Sequence, residues 1–180
     1  MKTWKIRDIE IQNQVTIAPM AGISNGAFRS LVAHYKPGII YTEMVSDKAI
    51  VHGNERTLKM CEVYEGEHPI ALQLFGEDVE SMTEAAIYLD TQTNCDIIDI
   101  NMGCPVPKIV KGSGGASLMK DPDKAVAIVE SIVKHVKKPV TVKTRLGWDS
   151  KSLNVVEFAK RLEKAGASAI AIHGRTRVQM

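Results

Sequence analysis

The sequence predicts an α/β fold: a parallel β/α barrel of the TIM (β/α)8 type, truncated after about six strands. Three observations carry this prediction. Six short apolar runs alternate with segments of helical periodicity, polar or conformationally special residues stand at the C-terminal end of every run, and the chain reaches Met180 just beyond the sixth run. Alternating strands and helices imply a parallel sheet, because parallel neighbours need a crossover that is usually a helix. A ring of polar groups drawn from many strand ends suits a barrel mouth, whereas an open doubly wound sheet gathers its ligand at one switch point.

After a short N-terminal hairpin, the first strand is read near Thr16 to Ala18, ending in Pro19-Met20, with a helix over Asn25 to Tyr35. The second strand, Ile39 to Glu43, is followed by a short helix around Asn54 to Met60. The third, Ile70 to Leu74, carries Gln73 near its end and leads into a helix over Val79 to Leu89. The fourth, Ile97 to Ile100, passes into Asn101, and the next helix, Pro122 to Val136, opens on Asp121-Pro122, an N-cap followed by proline at the first helical position. The fifth strand, Val140 to Lys143, is followed by Arg145; the last helix, Leu153 to Lys164, stops at Ala165-Gly166, and the sixth strand, Ala169 to Ile172, leads to His173 and Arg175.

Side chains alternate along a strand, so Asp99 and Asn101 share a face, as do Lys143 and Arg145, and likewise Ala169, Ala171, His173 and Arg175. An eight-fold barrel takes two further strand-helix units and about 250 residues. Residues 1–180 are therefore expected to be an incomplete barrel, with open edges beside the first and sixth strands.

Composition fits a soluble domain with one substantial core: 44% of residues are hydrophobic and 24% charged. The start, Met1-Lys2-Thr3-Trp4-Lys5, lacks a signal-peptide core and no run approaches a membrane span, so the cytoplasm is the expected compartment. Cys61, Cys95 and Cys104 form no C-x-x-C pair and no His-bearing spacing, which argues against a disulfide framework and against a metal site. A net charge of +2 is not the strongly basic balance of a nucleic-acid binder. The cluster from Lys134 to Lys138 reads as a solvated helix face.

Asn101-Met102-Gly103-Cys104-Pro105 places a thiol where a buried strand meets a loop, the position from which α/β enzymes present chemistry. The competing reading of Cys104 is a small buried core residue. Lys143 stands inside an apolar strand, where an ammonium needs an anion, an acceptor or an electron-rich ligand edge; Asp99 on the neighbouring strand is one partner it could take. Gln73 offers the donor and acceptor that a heteroaromatic edge requires. His173 could contact a ring, act as acid or base, or be structural. Gly112-Ser113-Gly114-Gly115 lacks the Lys and Ser/Thr of a phosphate loop and reads instead as a mobile loop flanking the site.

Taken in order, these motifs resemble the flavin-dependent tRNA-dihydrouridine synthases, particularly their bacterial B-type branch. Ala18-Pro19-Met20-Ala21-Gly22 is similar to the family's opening flavin-contact motif and Asp99-Ile100-Asn101-Met102-Gly103-Cys104-Pro105 to its active-site signature. Lys111 to Ala116 is similar to the loop that follows, while Val142 to Trp148 and Ile172 to Thr176 resemble the fifth and sixth strand ends. The resemblance implies FMN as cofactor, NADPH or NADH as reductant, and reduction of the C5–C6 bond of a uridine in tRNA. It assigns Cys104 as the proton donor to C5, an acid rather than a nucleophile. It assigns Pro19, Met20, Ala21, Gln73, Lys143 and His173 to the flavin, and Asn101, Arg145 and Arg175 to the uridine. It further implies a monomeric parent enzyme with two more strands, glycine-rich phosphate turns and a C-terminal helical tRNA-binding domain, so that residues 1–180 alone are expected to bind FMN weakly and to have little activity. Two other readings stay open: a flavin barrel acting on free pyrimidines, and a non-catalytic RNA-binding fragment.

Overall fold

A computed structural model describes residues 2–179. A hairpin opens it, β1 (Trp4–Ile6) pairing antiparallel with β2 (Ile9–Ile11). Six strands then form one sheet: β3 (Thr16–Ile17), β4 (Ile39–Ser46), β5 (Ile70–Phe75), β6 (Ile97–Asn101), β7 (Val140–Arg145) and β8 (Ala169–His173). All pairings are parallel, and each strand bonds only to those before and after it in sequence. That unreversed order is barrel winding; a doubly wound sheet reverses at a switch point. The architecture is a TIM barrel cut off after six strands, with β3 and β8 at the two edges of the sheet.

The helices are α1 (Gly26–Ala33), α2 (Asp47–Val51), α3 (Glu55–Met60), α4 (Val79–Gln92), α5 (Pro107–Lys111), α6 (Pro122–His135) and α7 (Val155–Lys164), with a 3-10 helix over Gly115–Lys120 before α6. Side-chain caps fix several starts: Asn25 accepts from Phe28 N–H at 3.1 Å, Asp78 from Ser81 N–H at 2.9 Å and Asp121 from Lys124 N–H at 3.2 Å. The short helices α2 and α5 and the 3-10 turn lie outside the sequence expectation, whereas α3, of six residues, lies within it.

Strand alternation divides the apolar residues into two layers. Leu72, Leu74, Ile98, Ile100 and Val142 point outward and pack on Met82 and Leu89 of α4, Ile128 and Ile132 of α6, and Phe158 and Leu162 of α7. Full burial of such side chains is worth about 1.5–3 kcal/mol each. Ile39, Tyr41, Ala71 and Ile97 point to the concave side, where Ile6 and Ile11 of the hairpin cover them. The hairpin thus fills the N-terminal end of the concave face, and the polar strand ends occupy the other.

One irregularity matters for the site. The β4–β5 register shifts between Tyr41 and Met44, and the Thr42 hydroxyl fills the break by donating to the Glu43 carbonyl at 2.8 Å and accepting from Gln73 N–H at 3.2 Å. Met44 consequently stands opposite Gln73 in the register. The Glu43 carboxylate instead accepts from the Gly22 N–H.

Candidate active site

The C-terminal strand ends surround an open cavity of about 320 Å³. Its walls are Ala18, Pro19 and Ala21 after β3, Met44 of β4, Gln73 of β5, Asn101 of β6 with the following Gly103 to Val106, Lys143 and Arg145 of β7, and His173 of β8. Most residues singled out from the sequence therefore converge here: Pro19, Ala21, Gln73, Asn101, Cys104, Lys143, Arg145 and His173. Met20 and Arg175 are not in the lining. The Met20 carbonyl accepts from the N–H groups of Ile23 and Ser24 at 3.0 and 2.9 Å, which turns the chain after β3. Arg175 lies beyond β8, where its N–H closes a tight turn onto the His173 carbonyl at 2.7 Å, so the alternation does not reach it and it is exposed on the rim.

Met44 went unrecognised in the sequence, since a bulge changes which residue faces inward and no residue type announces it. Val106 likewise has no sequence signal.

A hydrogen-bonded chain runs under the cavity. Asp99, fully buried, accepts from the Thr141 hydroxyl at 2.5 Å and from Gln73 Nε2 at 2.6 Å. Gln73 Oε1 accepts from Asn101 Nδ2 at 2.8 Å. Asn101 Oδ1 then accepts from the N–H groups of Gly103 and Cys104 at 3.1 and 2.9 Å. Burial pushes the Asp99 carboxyl up to about 6, opposed by the bonds from Gln73 and Thr141 and by the Lys143 charge. Both of its partners donate to it, as an ionised carboxylate requires.

Cys104 is half-buried, whereas Cys61 and Cys95 are buried and one of them, Cys61, has its thiol pushed up to about 12 by burial. The Cys104 carbonyl accepts from Ala116 N–H at 3.1 Å, and Gly115, at φ +55°, passes directly beside it. A Cβ at Gly115 would stand 2.8 Å from that carbonyl oxygen. Gly114 and Gly115 are thus packed parts of the site; only Lys111 to Ser113 of the expected mobile loop are exposed.

Two cations and a histidine face this region. Lys143 forms no ion pair with Asp99, whose oxygens are taken by Gln73 and Thr141; burial lowers the ammonium's pKa, Asp99 raises it and Arg145 lowers it further. Arg145 ties two loops together, donating from Nε to the Gly103 carbonyl at 2.7 Å and from Nη1 to the Thr176 carbonyl at 3.0 Å. His173 is held below its ordinary pKa by partial burial and then by Arg145, Lys143 and Arg175. Among the described residues, no helix is long and apolar enough to cross a membrane and no cluster of His, Cys, Asp or Glu could hold a metal ion.

The family model described as Dihydrouridine synthase (Dus) matches residues 16–180. The chain belongs to the dihydrouridine synthase family. Among the relatives of this dihydrouridine synthase family member, a "Probable tRNA-dihydrouridine synthase 1" from Synechocystis sp. is 46% identical over 99% of this chain and 50% of its own length. A "tRNA-dihydrouridine synthase B" from Vibrio vulnificus is 38% identical over 98% of this chain and 54% of its own length. The chain spans about half the length of the curated relatives it matches. Among solved structures, morphinone reductase in complex with tetrahydroNAD superposes with a TM-score of 0.65 at 12% identity, over 95% of this chain and 72% of that one, a likeness of fold.

Proposed function

We propose that this chain carries the reducing site of a tRNA-dihydrouridine synthase, which saturates the C5–C6 bond of a tRNA uridine with FMN as cofactor and NADPH or NADH as reductant. The observation that supports this most is the meeting of a half-buried thiol, Cys104, and an ammonium in no ion pair, Lys143, in one cavity among the Gln73 and Asn101 amides. The residues present fit a flavin ring. Pro19, Ala21, Met44 and Val106 supply apolar wall for its faces, and Lys143 supplies the cation that its electron-rich edge requires.

Pro19, Ala21, Gln73, Lys143 and His173 would hold the ring, with Met20 acting through the backbone turn it closes. When bound, the flavin supplies the hydride that uracil receives at C6. Cys104 Sγ holds the proton that C5 takes; its S–H bond breaks as the C5–H bond forms. Lys143 Nζ places positive charge where negative charge develops. Arg145 orients the uridine through the terminal nitrogen not bonded to a loop carbonyl, Asn101 acts on it through the Gly103–Cys104 turn that it holds, and Arg175 on the rim meets the RNA backbone. The base must leave its stack to reach the cavity.

The test is genetic and chemical. Disrupting the gene in its host, mapping dihydrouridine in tRNA by mass spectrometry and complementing with wild type or Cys104→Ala should show a position that is lost, restored by the first and not by the second. Unchanged dihydrouridine on disruption, or turnover of free pyrimidines by the protein, would overturn the proposal.

A further inference from the structure

We infer that Asp99 is a positioning residue for this reaction: its carboxylate holds Gln73, and through it Asn101, in the orientation that keeps Asn101 Oδ1 on the Gly103 and Cys104 N–H groups. The inference deepens the function proposed above and rests on it for its relevance to catalysis.

Asp99 does not line the cavity and cannot touch what binds there. Its effect must pass through the two amides. A primary amide is nearly symmetric in shape, so packing alone does not decide which end is oxygen. An ionised carboxylate can only accept, so it forces Gln73 to present Nε2 toward it and Oε1 toward Asn101. Asn101 must then give Nδ2 to Gln73 and keep Oδ1 for the two N–H groups of Gly103 and Cys104. Were Asn101 reversed, its NH2 group would face those N–H groups; were Gln73 reversed alone, its NH2 would face that of Asn101 and its oxygen the Asp99 carboxylate. Thr141 cannot set the direction, because a hydroxyl donates or accepts equally well.

The consequence is a polarity that can be deliberately reversed. Asp99→Asn keeps shape and volume but removes the obligate acceptor. Adding Asn101→Asp puts the carboxylate at the other end, where it accepts from Gly103 and Cys104 directly; Gln73 turns over, giving Nε2 to residue 101 and Oε1 to the new amide at 99. Every partner is satisfied again, in the opposite sense.

Backbone amide hydrogen exchange on the purified chain at pH 7 reads this without cofactor or tRNA, and so independently of the tRNA assay. The neighbouring Met102 N–H, bonded to the Lys143 carbonyl at 2.8 Å, and Ile98 N–H, bonded to the Pro139 carbonyl at 3.0 Å, report the strand ladder. In Asp99→Asn, exchange at Gly103 and Cys104 should accelerate about tenfold relative to these two, the scale of a lost hydrogen bond in a charge-anchored chain. In the double variant it should return to within about threefold of wild type. Unchanged relative exchange in the single variant, a parallel loss at all four amides, or failure of the double variant to restore protection would each overturn the inference.

Discussion

Gly115→Ala tests how tightly the loop behind Cys104 is built. Gly115 sits at φ +55°, and its new methyl would stand 2.8 Å from the Cys104 carbonyl oxygen, 3.0 Å from Ile109 Cγ2 and 3.2 Å from Cys104 Cβ. The left-handed backbone costs an L-residue about 1–2 kcal/mol. Overpacking against a backbone oxygen adds about 1–2 kcal/mol, and weakening the Ala116 to Cys104 bond adds about 1 kcal/mol. Reduced freedom of the unfolded chain returns about 0.5–1 kcal/mol. The net loss should therefore be about 2–4 kcal/mol. Gly53→Ala is the control: φ is +66° and nothing lies within 4 Å, so only the backbone cost and the unfolded-state gain remain, about 0–1.5 kcal/mol. Urea unfolding of both variants isolates the contact contribution as their difference, and the rate of Cys104 alkylation shows whether the displacement reaches the thiol. A difference below about 0.5 kcal/mol, with alkylation unchanged, would refute the claim that Gly115 exists to let the chain pass Cys104.

Three further outcomes follow from the same geometry. Arg29 and Glu67 form an ion pair at 3.2 Å with side chains 3% and 1% exposed, so Glu67→Gln should cost about 3–5 kcal/mol in urea unfolding; a single-variant loss under about 1 kcal/mol would contradict the burial of that pair. Asp99 rises from its ordinary 3.8 to about 6 on folding, so its contribution to stability is present below about pH 4 and is lost as pH climbs to about 6, about 3 kcal/mol in all; the stability of wild type minus that of Asp99→Asn should fall across that window and level off above it, and a flat difference would refute the assignment. Brief iodoacetamide treatment of the native chain should leave a single adduct by mass spectrometry, on Cys104, and comparable labelling of the buried Cys61 or Cys95 would contradict their placement.

The strands and the longer helices could be read from sequence because each repeats a period long enough to count. Ile97 to Ile100 and Val140 to Lys143, like the other runs, lead into polar residues at their C-terminal ends, and that ring located the mouth of the barrel. The cysteine, lysine, glutamine and histidine of the cavity followed because each is chemically odd at a strand end. What could not be read depends on backbone detail. The break at Thr42 moves Met44 opposite Gln73, and a one-residue shift has no compositional mark. The same limit applies to Gly112 to Gly115. Glycine permits both a mobile loop and a close approach; only the position of Cys104 beside Gly115 decides for the second. Lys143 and Asp99 illustrate a third kind of gap. Adjacent strands and opposite charges suggest a pair, but Gln73 and Thr141 reach the carboxylate first and leave the ammonium to the cavity.

Cys104 owes its place to three elements. Asn101, at the end of β6, takes the N–H groups of Gly103 and Cys104; Arg145, from β7, takes the Gly103 carbonyl; Ala116, in the 3-10 helix, takes the Cys104 carbonyl. The backbone polar groups of this turn are therefore committed to protein partners, and a ligand entering the cavity meets the side chain alone. A thiol held this way loses little further freedom when a ligand arrives, which is how a rigid scaffold lowers the entropic part of a barrier. It follows that substitutions at Asn101, Arg145 or Gly115 should disturb the thiol even where they touch no substrate, and that their effects on Cys104 alkylation should be non-additive, since all three act on the same two peptide units.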